Sequence, residues 1–134
     1  MKHSLLLGYQ CVTGLSDAGS GALLCVAPAF TLRLMNLNAP ADALPFVAYI
    51  GAFVLSVGMA GLYGALLAAH RGQCQRLETV WLLTAFARSA VAIYVIKAVL
   101  VGQLESGWLT VALFDGACAA LQAYGLRNRW LVDA

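Results

Sequence analysis

Three charged residues, Asp17, Arg88 and Asp115, each fall near the middle of a long apolar stretch. An Asp or Arg at the centre of a membrane helix costs about 2.5–3.5 kcal/mol on insertion scales, so three at one depth are expected to face one another. A guanidinium carries a planar fork of donors that can hold two carboxylates at once. The expected arrangement is therefore Asp17–Arg88–Asp115, two carboxylates against one cation. The surplus negative charge has two chemical outlets. Either the carboxyls share a proton and titrate as a pair, or a cation or donor-bearing ligand visits. Both make the cluster a candidate proton relay or ligand site.

Polar residues continue away from each charge at helical spacing. Gln10, Thr13, Asp17 and Ser20 recur every three or four residues, as do Glu78, Trp81, Thr84 and Arg88. Gln122 lies seven residues beyond Asp115, with Cys118 between them. Such spacing puts each set on one helix face. Gln10, Glu78 and Gln122 then lie on one side of the charges. The expectation is a polar crevice that opens at that end and stops at the midplane, with Tyr63 on its fourth wall. The competing expectation is structural: the charges fix helix register, and the amides and hydroxyls satisfy one another.

The elements that must position these residues follow from composition. The chain has 134 residues, 62% hydrophobic and 10% charged, with mean hydropathy +0.82. Soluble domains carry about 25% charged residues, so a soluble enzyme and a disordered segment are both excluded. With 8 Lys and Arg against 6 acids and no basic cluster, nucleic acid is not an expected partner. A helix needs about 20 apolar residues to cross the bilayer. Residues 4–30, 44–69, 78–101 and 106–126 qualify, which predicts one all-α domain over 1–134: an up-down bundle of four transmembrane helices in the lipid bilayer. Alternating strands of a β-barrel are absent. Lys2 precedes too short an apolar core, Leu5–Leu7, for a cleaved signal peptide. Asn36–Pro40, residues 70–76 and residues 102–107 form the connections.

Lys2, Arg71, Arg76, Arg127 and Arg129 fall at one end, against Arg33 and Lys97 at the other. The positive-inside rule then predicts both termini in the cytoplasm of a cell with an inner membrane. Trp81 and Trp130 are expected as inner-interface anchors and Trp108 as an outer one. Ser56, Ala60, Gly64 and Ala68, and again Ala112, Gly116 and Ala120, are small residues at four-residue spacing. They predict close packing within the bundle or, for the face left over, a homodimer or a larger membrane complex.

Other chemistry has little support. Cys11, Cys25, Cys74 and Cys118 form no C-x-x-C pair, so no metal site is expected. His3 and His70 fall together at one interface, which disfavours haem between facing helices. No phosphate loop, nucleophile elbow or H-E-x-x-H is present. The residues read as a binding or docking bundle rather than an enzyme, and they dictate no cofactor.

Thr13-Gly14-Leu15 with Gly21 and Pro28, the Leu34-Met35-Asn36 turn, Gly51 and Gly58, and Ala87-Arg88-Ser89 together resemble the DoxX family of small bacterial membrane proteins. The resemblance spans nearly the whole chain. It implies a four-helix up-down bundle and a respiratory or redox partner, with a quinone as the compatible ligand. In length the chain is also similar to the small multidrug exporters, where an acidic residue in the first helix exchanges protons for cations. Asp17 is the counterpart by position, and the proton-coupled transporter is the alternative function. Arg88 departs from that pattern, because it would repel cationic drugs.

Overall fold

The computed structural model describes residues 3–70 and 72–131. Lys2 and Arg71, two of the counted charges, lie outside the described residues. The described chain is all helical, with no strand.

The first helix, α1, spans His3–Val26, and α2 follows at Pro28–Leu34. A single helix over 4–30 was expected, and Pro28 is why it breaks. A residue before proline is sterically pushed out of the αR region, and Ala27 sits at φ −140°, ψ 63°. Proline is then at home in the first turn of α2. After a 3₁₀ turn at Ala41–Ala43, α3 spans Leu44–Ala69, with Pro45 in its first turn. The fourth helix, α4, spans Cys74–Leu100. It begins earlier than expected, because Cys74, Gln75 and Arg76 occupy a first turn whose free N–H groups tolerate polar surroundings. A 3₁₀ turn at Ser106–Trp108 leads into α5, Leu109–Arg127.

Three helices end in the same cap. After α4, Gly102 adopts φ 74°, Gln103 N–H donates to Ala98 O at 2.8 Å, and Gly102 N–H donates to Val99 O at 3.0 Å. These are the two bonds of a Schellman motif. Asn36 after α2 and Arg129 after α5 repeat it with φ of 56° and 54°.

The helices pack as two antiparallel pairs. Along α1 and α3 the backbones touch through glycine. A Cβ on Gly21 would lie 2.7 Å from Leu55 Cα, one on Gly14 would lie 2.8 Å from Leu62 N, and one on Gly58 would strike the Ala18 backbone. Close backbone approach at small residues is how membrane helices associate. The approach face carries Gly51, Gly58 and Gly61; of the expected face Gly64 and Ala68 are buried, with Gly64 against Gln10 of α1, whereas Ser56 is exposed and donates to Ala52 O within its own helix. The second pair is α4 with α5. No Cα of α1 lies within 8 Å of one in α4 or α5 among the described residues.

The molecule is apolar outside and encloses a set of polar residues between apolar core clusters. Leu, Val, Ile and Phe side chains cover the outer faces of all four long helices, whereas Gln10, Thr13, Asp17, Thr84, Arg88 and Gln122 are buried. Water would favour the reverse arrangement. Three helices are long and apolar enough to cross a membrane: α3 with its leading turn, α4, and α5 with its leading turn. At 24 residues, α1 has comparable length, but Gln10, Thr13, Ser16, Asp17 and Ser20 lower its hydropathy.

Candidate functional site

The buried stripe of α4 runs through Leu77, Trp81, Thr84, Ala85, Arg88, Ala92, Val95 and Ala98. Its steps of three and four follow the 3.6-residue helical period and aim Arg88 between the two helix pairs. There Arg88 Nη1 donates to Asp115 Oδ1 at 2.7 Å, and Nη2 donates to Asp17 Oδ2. Both carboxylates therefore sit at the depth of one guanidinium. The Phe114 ring covers that guanidinium, 5.4 Å from Cζ to the centroid, a cation–π distance.

A polar layer lies between this cluster and the end of the bundle where α1 and α4 begin and α3 and α5 finish, called here the terminal end. Gln122 Nε2 donates to Thr84 Oγ1 at 2.8 Å. Thr84 Oγ1 lies 2.8 Å from Val80 O and 3.2 Å from Trp81 O, bonding back to its own helix. Thr13 Oγ1 donates to Tyr9 O at 2.8 Å. Gln10 is buried with its amide against Gly64. The Tyr9 and Trp81 rings meet edge to face at 5.5 Å, and the Tyr9 hydroxyl sits beside the Cys118 thiol.

Among the described residues, five buried polar atoms in and around this layer have no hydrogen-bond partner: Tyr9 Oη, Gln10 Nε2, Trp81 Nε1, Arg88 Nε and Gln122 Oε1. Buried polar groups are nearly always paired, and each unpaired one costs about 1–3 kcal/mol. Three of the five are N–H donors and belong to Gln10, Trp81 and Arg88. Tyr9 can donate or accept, and only Gln122 offers a plain acceptor.

The expected site residues divide on contact with this geometry. Asp17, Arg88 and Asp115 come together, and Gln10, Thr13, Thr84 and Gln122 join the polar interior. Tyr63 does not form a fourth wall. It is 48% exposed, because it stands two residues, about 200° of helix, from the inward Gly61. Ser20 is also exposed, its hydroxyl turned back to Asp17 O at 3.2 Å. Glu78 is half-buried in the first turns of α4, short of the polar layer. Trp81, expected at an interface, is fully buried because its indole fills the space over Gly125.

Among the described residues the crevice does not open at the terminal end. Leu6, Leu67, Ala68, Leu77, Trp81 and Leu131 form a continuous buried apolar layer across it. A hollow of about 10 Å³ within that layer has room for one water at most. Among the described residues no three His, Cys, Asp or Glu side chains are grouped as metal ligands.

Compared with protein-family models, curated proteins and solved structures, the chain matches none.

Proposed function

We propose that this chain crosses an inner membrane four times, with both termini in the cytoplasm, and binds one small, polar-headed or quinone-like ligand beside Arg88. The carrying observation is the set of buried polar atoms without a partner among the described residues: Arg88 Nε in the ion cluster itself, and Tyr9 Oη, Gln10 Nε2, Trp81 Nε1 and Gln122 Oε1 toward the terminal end. A cluster that only locked helices together would gain nothing from leaving Trp81, Gln10 and Arg88 donors unmade, since their desolvation opposes folding. Trp81 and Arg88 stand two helical turns, about 10 Å, apart, so a head group with more than one acceptor, such as two carbonyl oxygens, would be needed to complete them. Tyr9 and Trp81 would offer ring surface to a flat head group, and the paired carboxylates would hold or pass a proton. The resemblance to the DoxX family points the same way.

Four crossings are supported by α1 lying along α3, glycine against glycine, with His3 Nε2 tied at 2.6 Å to Ala68 O near the end of α3. If α3 crosses, α1 crosses beside it. Its polar residues are acceptable because the inward set faces protein rather than lipid. The excess of Arg at the terminal end supports the orientation.

The test is an equilibrium titration of reconstituted protein with a decyl-tailed benzoquinone, read by tryptophan fluorescence. Wild type should show saturable quenching. The triple variant Asp17→Leu, Arg88→Met, Asp115→Leu should fold and show only linear collisional quenching. Equal saturable quenching in both would remove the cluster from any binding role.

A further inference from the structure

We infer that the ligand of this site is an amphiphile dissolved in the bilayer, which enters sideways between α1 and α5 rather than from water at either end. The inference rests on the binding reading above and adds a route and a chemical class.

Both ends of the polar interior are closed by hydrocarbon. The terminal end carries the layer of Leu6, Leu67, Leu77, Trp81 and Leu131. At the opposite end Leu32, Leu37 and Val47 are buried together, with Leu24, Leu44 and Trp108 packed on them. Gly107 is held there so closely that a Cβ would lie 2.7 Å from Leu37 Cδ2. A hollow of about 150 Å³ at this opposite end is lined by Arg33 and Asn38 as well as by Leu32, Leu37 and Leu44. A hydrated solute that enters it meets the buried Leu32 and Leu37, and one at the terminal end meets the Leu6, Leu77 and Leu131 cluster.

The side wall is different. Along α1 and α3 the backbones are in contact, whereas no Cα of α1 comes within 8 Å of α5 among the described residues. That seam is bridged by side chains: Asp17 to Asp115 through Arg88, and Tyr9 beside Cys118. Both carboxylates keep residual exposure, 11% for Asp17 and 16% for Asp115, while Arg88 behind them has 5%. Phe114, itself partly exposed, lies over the guanidinium from the same helix as Asp115. Ser20, one helical turn from Asp17, is exposed. Ser16 is exposed beside it, but the larger exposed side chains of α1 and α5, among them Val12, Leu15, Leu23, Leu113 and Leu121, are apolar. What reaches the seam must therefore dissolve in hydrocarbon. What satisfies Arg88 Nε, Trp81 Nε1 and Gln10 Nε2 must carry oxygen acceptors. An apolar tail with an acceptor-bearing head meets both conditions.

The experiment uses the full chain in proteoliposomes with Trp108→Phe and Trp130→Phe, so that Trp81 is the sole reporter. Two probes are compared: a decyl-tailed benzoquinone delivered in lipid, and a membrane-impermeant anthraquinone disulfonate in the buffer. The lipid-borne probe should quench Trp81 saturably and the aqueous one should not. Ser20→Phe, which narrows the seam, should slow quenching by about tenfold. Leu131→Ala, which thins the terminal layer, should leave the rate unchanged. The Trp81 emission maximum reports whether each variant remains folded, and Ser20→Leu replaces Ser20→Phe if it does not. Quenching by the aqueous probe, or acceleration by Leu131→Ala with no effect at Ser20, would overturn the lateral route while leaving the binding site standing. No saturable quenching by either probe would overturn both.

Discussion

Arg88 on α4 holds Asp17 on α1 although the two helices bring no Cα within 8 Å of each other. The span is made by side chains alone. Two helix pairs, each closely packed within itself, meet where α3 lies on α4, through the apolar cluster of Leu6, Leu67, Leu77 and Trp81, and between α1 and α4 through this ion pair. Where α1 faces α4 the contact is ionic, and Arg88 Nε stays without a partner among the described residues beside it.

Arg88→Met alone should be the most disruptive single change in the interior. It leaves two carboxyls facing each other without a cation, and removal of one member of a buried ionic set costs about 3–5 kcal/mol. The triple variant Asp17→Leu, Arg88→Met, Asp115→Leu should recover most of that loss. Thermal unfolding in detergent measures both, and a triple variant as unstable as the single one would contradict the assignment of the cost to unpaired charge.

Tyr9→Phe should separate folding from binding. Among the described residues its buried hydroxyl has only the weakly hydrogen-bonding Cys118 thiol beside it, so removing it should change stability by about 1 kcal/mol at most. Saturable binding of the quinone probe should weaken. A loss of stability without a loss of binding would show that the hydroxyl serves the fold.

Gly58→Val should drive α1 from α3, because the added Cβ meets the Ala18 backbone. The expected destabilisation is about 1–3 kcal/mol or more, as for overpacking in a rigid core. Gly19→Ala is the control: nothing lies within 4 Å of its Cβ position, and the change should be neutral or mildly stabilising, since alanine is about 1 kcal/mol the better helix former. Equal melting temperatures for the two variants would show that the α1–α3 contact is not tight.

Topology is testable without purification. Four crossings return the carboxyl terminus to the side of the amino terminus, whereas three put them on opposite sides. A reporter fused after Ala134 and one fused before Met1 should both read cytoplasmic. Opposite readings would leave α1 outside the set of spanning helices.

Much of this was legible in the sequence, for identifiable reasons. Buried ionic groups in hydrocarbon must find one another, so Asp17, Arg88 and Asp115 could be paired from their positions alone. Helical spacing likewise placed Gln10, Thr13, Thr84 and Gln122 inside. Three features were less accessible. The break at Ala27 depends on Pro28, which the apolar run around it obscures. The close backbone approach of α1 to α3 is written in Gly14 and Gly21 and in Gly51 and Gly58, seven residues apart, and the four-residue ladder beginning at Ser56 joins it only at Gly64 and Ala68. Trp81 looks like an interface anchor by type, and only the fold shows that Gly125 leaves room for its ring inside. Tyr9 was missed altogether, although it stands four residues before the inward Thr13. The apolar layer across the terminal end depends on Leu131, beyond the last helix, where no periodicity can place it.

The central claim is that the polar interior beside Arg88 exists to hold a ligand. The most direct test is native mass spectrometry of protein extracted gently from its own membrane, wild type beside the Asp17→Leu, Arg88→Met, Asp115→Leu variant. The wild type should carry one small molecule per chain, released by activation, and the variant should be a bare chain. A bare chain in both, or the same adduct on both, would contradict it.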